Sequence, residues 1–170
     1  MTQQPEAVSE KATPSAAAQP DIAFEWTKLS VIARELLPLM RMHWQESASF
    51  KDIADLDPDW PRIFAMEDRG VNAVLVARDG DMIVGYVPVI VAAHIMATGL
   101  TLGYIDTYFI HPAYRQGWTL MKMLKKVVRR LEEAGCDVIS ARDPDKAMEF
   151  VFTRLGFGTP ETTWFKRVAK

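Results

Sequence analysis

The spacing of hydrophobic residues predicts a strand and then a helix at the start of the patterned region. Residues 22–26, IAFEW, are mostly apolar and are interpreted as a short strand. From Leu29 to about Glu46, apolar residues recur every three or four positions, which predicts an amphipathic helix. Pro38 lies inside this helix and is expected to kink it, because proline has no backbone N–H to donate and its ring crowds the preceding turn.

A second, shorter helix is predicted between two turn signals. Asp57 followed by Pro58 is typical of an N-cap with proline at the first helical position, and Gly70 fits the helix stop. Ile63 and Phe64 are expected to pack inward from this helix. Two helices therefore precede the part of the chain that is rich in strands.

The pattern then changes from helical spacing to strands. Residues 71–78 and 82–95 flank an Asp-Gly turn at 79–80, which predicts a β-hairpin. Residues 101–110 form a third strand, and the three are expected to make an antiparallel meander. Pro88, inside the second strand, indicates a bulge or an unpaired edge position.

Two more helices and two more strands complete the chain. A helix with one apolar face is predicted to end at Gly135. Its core face consists of Met121, Leu124, Val128 and Leu131. A strand at 137–142, a helix capped by Asp143-Pro144 that runs to Leu155, and a strand at 161–168 follow. The order β-α-α-β-β-β-α-β-α-β predicts an α+β, or mixed α/β, domain around one sheet.

Composition agrees with one globular domain preceded by a tail. The 170 residues are 49% hydrophobic and 25% charged, close to ordinary globular usage. Residues 1–21 contain no aromatic residue, leucine or isoleucine, so we expect a disordered tail before a domain at 22–170. The net charge of −2 argues against general binding of nucleic acid. With one cysteine and no long apolar run, we expect a cytoplasmic protein with no membrane partner. A monomer or a homodimer is expected.

Most catalytic templates are missing from the sequence. His43, His94 and His111 are far apart, so no metal site is expected. Glycine-rich phosphate loops and a serine nucleophile elbow are absent as well. Cys136, at a helix-to-strand corner, is interpreted as a packing residue.

One segment does predict an anion site. The strand that ends at Ile110 leads through the loop HPAYRQGWT directly into a helix. Such a loop directs several backbone N–H groups and the positive end of the helix dipole at one point, which suits a pyrophosphate. Gly117 would let the backbone approach a ligand closely.

Several motifs in this part of the chain occur in a familiar order. They are YFIHPAYR, RQGWTL, DVISAR, TRLGF and ETTWFKR, with fainter matches in ELLPLMRMHWQE, LDPDWPRIFAME and DGDMIVGYVPV. Together they resemble the GNAT superfamily of acyl-CoA N-acyltransferases over residues 27–168, and in particular the short members often encoded by bacteriophages. The resemblance implies a GNAT-like fold with a mostly antiparallel central sheet flanked by about four helices.

The resemblance also implies an activity and a set of binding residues. The activity is transfer of an acetyl group from acetyl-CoA to a primary amine, which attacks the thioester directly without a metal. Main-chain groups of Phe109 and Ile110 would bind the pantetheine arm. Backbone amides would bind the pyrophosphate at Gln116, Gly117, Trp118, Thr119 and Leu120. Arg115 and Lys122 would contact phosphates, unless they belong only to a solvated surface.

Two positions concern the proton transfers of this reaction, a candidate base and the position of a general acid. Asp106 shares a strand face with Tyr104 and Tyr108, which would partly desolvate its carboxylate and let it act as a base. The alternative is a structural carboxylate bonded to its neighbours. Phe152 stands where the family often has a tyrosine general acid, against the bound cofactor. His43 is interpreted either as a histidine satisfied by its neighbours or as part of a substrate wall.

Some departures from the family pattern keep a second hypothesis open. Trp118 and Leu120 occupy positions that are usually small, and Asp145 stands where asparagine is common. Together with Phe152, these residues favour an alternative in which the fold is catalytically inactive. The protein would then be a binding module for a protein partner.

Overall fold

The computed structural model describes residues 21–115, 118–143, 147–158 and 166. Several predictions concern residues outside these ranges. They are the tail at 1–20, Gln116 and Gly117, Pro144, Asp145, and the last strand at 161–168 apart from its residue 166.

The described elements follow the predicted order as far as they extend. They are β1 (Ile22–Thr27), α1 (Leu29–Ser47), α2 (Trp60–Asp68), β2 (Asn72–Asp79), β3 (Met82–Ala93), β4 (Thr101–Ile105), β5 (Phe109–Ile110), a 3-10 turn (Pro112–Tyr114), α3 (Thr119–Glu133), β6 (Val138–Ala141) and α4 (Glu149–Arg154). The helix predicted through Pro38 is confirmed, since α1 continues past that residue.

The strands form one mixed sheet. Its order is β1-β2-β3-β4-β6, and β5 pairs with β3 as well. All pairs are antiparallel except β4 with β6. The predicted meander of β2, β3 and β4 and the predicted mostly antiparallel sheet are therefore confirmed.

Hydrophobic side chains cover both faces of the sheet. On β2, Val74 and Val76 pack with α1 and α2, whereas Leu75 and Ala77 pack with α3. Because successive side chains of a strand point to opposite faces, β2 is buried on both sides. Each completely buried leucine, such as Leu36 of α1, contributes about 1.5–3 kcal/mol from removing its side chain from water.

Both short helices start later than predicted, α2 because a different aspartate caps it and α4 because a turn follows the predicted aspartate. The side chain of Asp59, not Asp57, accepts the Arg62 N–H at 3.1 Å, so α2 begins at Trp60. Asp143 accepts the Met148 N–H at 3.0 Å, and α4 begins only after that turn.

The core face of α3 is rotated from the predicted one. Met123 and Val127 are completely buried together with Leu124 and Leu131, whereas Met121 and Val128 are half-buried. The helix therefore packs on the sheet with a face centred between Leu124 and Val127. The spacing of apolar residues alone does not distinguish this face from the neighbouring one.

A buried carboxylate joins the two helices on one face of the sheet. Glu67 of α2 accepts the backbone N–H groups of Leu29 and Ser30, at the start of α1. These donors have no partner inside their own helix, and Glu67 is 6% exposed. A residue from another helix thus caps α1 and sets its position against α2.

Candidate active site

The strand predicted at 101–110 is in fact interrupted, and the interruption lies at the centre of the sheet. β4 ends at Ile105 and β5 begins at Phe109. β3 pairs with β4 through residues 90–93 and with β5 through residues 85–86, with the register shifted by one residue in between. Between these two pairings, residues 87–89 of β3 have no described strand partner on the side of β4 and β5. Pro88 lies in this gap, so its missing N–H interrupts no hydrogen-bond ladder on that side.

The interruption opens onto one large cleft of about 1160 Å³. The cleft is lined from one side by α1 and α2, and from the other by the starts of α3 and α4. Residues 106–110 lie between the two halves. Since a single small-molecule site usually measures about 300–1,000 Å³, this cleft is large enough for two ligands that meet at the break in the strand.

His43 of α1 stands in the wall of the cleft with both ring nitrogens bonded. Nδ1 lies 2.7 Å from the hydroxyl of Tyr86, and Nε2 lies 3.3 Å from the hydroxyl of Thr107. Its ring also stacks on Phe109, with ring centroids 4.6 Å apart. Burial lowers the pKa of His43 to about 4, so the imidazole is neutral near pH 7. The prediction of a histidine satisfied by its neighbours is confirmed.

Arg115 connects α1 to the loop before α3. Its Nη2 donates to Glu46 at 2.7 Å, and its Nε donates to the carbonyl of Ile110 at 3.0 Å. The guanidinium also lies 5.1 Å from the centre of the Phe109 ring. The hydrogen bond from Arg115 lowers the pKa of Glu46. Arg115 therefore braces the cleft, and its predicted contact with a phosphate remains a prediction.

The backbone of β5 turns one edge away from β3. The N–H of His111 bonds to the carbonyl of Val84 at 2.8 Å. Because bonded and non-bonded pairs alternate in an antiparallel ladder, the neighbouring pair of Ile110 and Gly85 is non-bonded. The main-chain groups of Ile110 thus point away from β3, and the Ile110 carbonyl already accepts from Arg115. The main-chain groups of Phe109, the other residue predicted for the pantetheine arm, point toward β3.

The start of α3 offers a positive helix end to the same cleft. Trp118 is the N-cap and makes no side-chain capping bond, and the first turn contains no acidic residue. Thr119 is half-buried, Leu120 packs on the core, and Lys122 is exposed. The Trp118 side chain is 58% exposed and lines the cleft. The described residues therefore fit an anion at this end.

Asp106 lies at the break in the strand, in an environment that differs from the predicted one. Its Oδ1 accepts from Arg142 Nη1 at 3.0 Å, and the aspartate side chain is 61% exposed. The expectation that tyrosines partly desolvate this carboxylate is therefore wrong. The partnership arises because β4 and β6 are parallel neighbours, and Asp106 and Arg142 each directly follow one of these strands.

Phe152 belongs to the core and not to the lining of the cleft. It is 7% exposed and packs edge-on against Tyr108 and Phe157, at 5.8 and 5.3 Å between ring centroids. Tyr108 itself lines the cleft. A phenol from the interrupted strand therefore lies beside Phe152, the position where the resemblance implies that a tyrosine is common.

Sequence patterns alone do not single out four polar residues of the cleft. They are Glu46, Tyr86, Thr107 and Arg142. Glu46 has a signal, because it follows His43 by three positions and therefore shares its helix face. Tyr86, Thr107 and Arg142 come together only when separate strands pair. The spacing of residues within one segment does not predict which strands pair.

Two features are absent from the described part of the chain. No three side chains of histidine, cysteine, aspartate or glutamate come together there as a metal site. No described helix is both long and apolar enough to cross a membrane.

The chain is similar to known proteins both in sequence, through a family model, and in structure. A model of the acetyltransferase (GNAT) family matches residues 33–157. No curated protein matches the chain. Among solved structures, the chain is similar to a ribosomal-protein-alanine N-acetyltransferase from Brucella melitensis biovar Abortus 2308, with a TM-score of 0.65, 17% identity, and coverage of 87% of this chain and 99% of the other.

Two further structures share the fold. A transcriptional regulator from Bacillus halodurans C-125 has a TM-score of 0.68 and 18% identity, with 86% of this chain and 99% of that chain covered. The aminoglycoside N-acetyltransferase AAC(6')-Iy in complex with CoA has a TM-score of 0.63 and 15% identity, with 92% and 99% covered. At these identities the likeness concerns the fold.

Proposed function

The chain belongs to the acetyltransferase (GNAT) family, and on this premise we propose that it transfers the acetyl group of acetyl-CoA to a primary amine. The amine attacks the thioester directly, so that one amide bond forms while the carbon–sulfur bond breaks. The proton lost by the amine is balanced by the proton that the sulfur takes up.

One observation carries the proposal: a single cleft runs through the break between β4 and β5. Direct transfer requires the two substrates to meet in one space, with the reacting atoms about 3–3.5 Å apart. The cleft has a positive helix end on one side, a backbone edge in the middle and a separate wall between α1 and α2. This arrangement suits a phosphate-bearing donor that enters from α3 and an acceptor that enters from α1.

The residues present fit acetyl-CoA. Ile110 would bind its pantetheine arm through the main-chain groups that face away from β3, and Phe109, whose main-chain groups face β3, would lie beside the arm. The pyrophosphate would lie at the start of α3, on the amides of Trp118, Thr119 and Leu120 with Lys122 nearby. Gln116 and Gly117 would extend this set. When bound, acetyl-CoA supplies the acetyl group as an activated thioester.

We assign the proton transfers to two residues at the break in the strand. Asp106, oriented by Arg142, accepts the proton that the attacking amine must lose, directly or through a water molecule. Tyr108 donates the proton that the departing sulfur takes up, because it lines the cleft and packs on Phe152. Tyr108→Phe is then expected to lower kcat while acetyl-CoA affinity changes little. An unchanged kcat would reject this role.

The comparisons do not favour the alternative of an inactive binding module. All of the structural neighbours named above share this fold, and two of them are acetyltransferases by name. From the sequence motifs we also propose a relationship to the short members encoded by bacteriophages, and action as a cytoplasmic monomer or homodimer.

Calorimetric titration with acetyl-CoA tests the proposal. We expect saturable binding with a dissociation constant between about 1 µM and 1 mM. Lys122→Glu, in the first turn of α3, should weaken binding by about fivefold to tenfold, the size expected for reversing one exposed charge. Lys125→Glu makes the same charge change further along the helix and should leave affinity nearly unchanged. Absence of binding up to about 1 mM would reject the enzyme and favour the inactive module.

A further inference from the structure

The half of the cleft between α1 and α2 has a wall of apolar side chains. They come from α1, from the connection between the helices, and from α2. Six residues form this surface, which we call the acceptor wall: Met40, Trp44, Phe50, Leu56, Ile63 and Met66. Trp44 donates its Nε1–H to the carbonyl of Ala54 at 3.2 Å, which holds the connection against α1. The wall therefore presents carbon surface, including two aromatic rings, to a bound molecule.

The charged groups of the cleft cancel in pairs. The described residues that line it include four charged side chains, two of each sign. Glu46 pairs with Arg115 at 2.7 Å, and Asp106 pairs with Arg142 at 3.0 Å. His43 adds no charge near pH 7, because burial lowers its pKa to about 4. The described lining is therefore neutral overall.

A neutral lining of this kind discriminates between acceptors by their charge. An ammonium group that leaves water without a carboxylate partner loses hydration energy that nothing replaces. The acceptor wall contains no carboxylate, and the two described carboxylates that line the cleft, Glu46 and Asp106, already pair with arginines. A second cation on the acceptor would therefore meet no unpaired negative charge among the described residues of the lining. An apolar group in the same place is instead favoured by about 25 cal/mol for each Å² removed from water.

Resting on the proposed acetyl transfer, we propose that the acceptor is a small primary monoamine whose remaining part is uncharged and apolar. The reacting nitrogen is its one ionisable group, and its aliphatic or aromatic body packs on the acceptor wall. Amino sugars and polyamines, which carry several ammonium groups, fall outside this class. The amine leaves as a neutral acetamide that has lost its charge.

Hexylamine and 1,5-diaminopentane form a matched pair for the test. They have the same number of heavy atoms and differ in whether the far end is a methyl group or an ammonium ion. Turnover of acetyl-CoA by the full chain is followed through the free thiol that is released. We expect kcat/KM to be at least about tenfold higher for hexylamine, the size of effect that one mismatched group has in an apolar site.

A substitution in the acceptor wall is expected to reverse the preference for hexylamine over the diamine. Phe50 is 43% exposed, so Phe50→Glu adds a carboxylate to the wall with little disturbance of the core. We expect this change to lower kcat/KM for hexylamine and raise it for the diamine. Ile53→Glu is the control, because Ile53 lies on the same connection, is 60% exposed, and does not line the cleft. It should leave the ratio of the two amines unchanged.

The outcomes separate this inference from the proposed function. If the protein binds acetyl-CoA but turns over the diamine as well as hexylamine, or neither amine, the monoamine class is rejected and the acetyl-CoA site stands. An unchanged ratio in Phe50→Glu would likewise reject the acceptor wall. If acetyl-CoA does not bind at all, the proposed function fails and this inference fails with it.

Discussion

At the scale of single residues, the cleft depends on polar groups that are held by specific partners. His43 is the clearest case, since Tyr86, Thr107 and Phe109 contact its ring on three sides. Tyr86 is itself buried, which raises the pKa of its hydroxyl. The ring of His43 is thereby kept neutral and in one orientation, so it shapes the wall without adding charge.

The buried state of His43 predicts a dependence of stability on pH. Its pKa is about 4 in the folded protein and near 6.5 when unfolded, so the unfolded chain takes up the proton first. The folded state therefore loses stability as pH falls from 6.5 toward 4, and this effect is absent above 6.5. We expect the stability difference between wild type and His43→Gln to shrink over that interval in urea unfolding. A constant difference would contradict the neutral histidine.

Asp106 predicts a change in rate without a change in donor binding. Asp106→Asn should lower kcat at least tenfold, because help from a general base is worth about 10²- to 10⁴-fold. Affinity for acetyl-CoA should stay within a few-fold, since the residue lies away from the start of α3. Asp81→Asn, in the exposed hairpin turn, is the matched control. Full kcat across the pH range would leave Asp106 as a structural partner of Arg142.

At the scale of elements, the position of β5 against β3 depends on a glycine. A Cβ on Gly85 would lie 2.7 Å from Ile110 Cδ1 and 3.1 Å from the backbone oxygen of Phe109. Backbone atoms of a paired strand cannot move aside as a side-chain end can. Glycine at this position therefore allows β5 to approach β3 closely and to present its other edge to the cleft.

Gly85→Ala should therefore push β5 outward. We expect it to reduce the free energy of unfolding by about 1–3 kcal/mol, as overpacking does, and to weaken acetyl-CoA binding. Gly103→Ala is the matched control, because its Cβ would meet only side-chain atoms of Leu131 and Cys136, at 3.1–3.2 Å. Urea unfolding and calorimetry of both variants provide the measurement. If Gly85→Ala loses no more stability and no more affinity than Gly103→Ala, the added methyl group does not displace β5.

At the scale of the whole molecule, we propose that the domain folds without its first residues. Residues 1–20 contain no aromatic residue, leucine or isoleucine and therefore have little apolar surface to bury. A variant that begins at residue 21 should have nearly the same melting temperature as the full chain. Thermal unfolding of both forms is the measurement. A clear loss of stability on truncation would show that this segment packs on the domain.

Much of the architecture could be predicted from local patterns. The order of elements, the hairpin and the meander follow from the spacing of apolar residues, because helices and strands bury one face with different periods. Helix boundaries were less predictable, since Asp57 and Asp59 both resemble caps and only Asp59 reaches a backbone N–H. The core face of α3 is ambiguous for a similar reason, because Met121 and Met123 both fit an apolar stripe and only Met123 is completely buried.

The sequence by itself determined the elements, their order, and the loop that leads from Ile110 into α3, because these depend on neighbours along the chain. Only the tertiary structure decided which polar groups meet. The ion pair of Asp106 with Arg142 requires β4 and β6 to be parallel neighbours. The capping of α1 by Glu67 requires α2 to pack beside it. Contacts between distant segments are selected by the packing of the whole core, which no local spacing records.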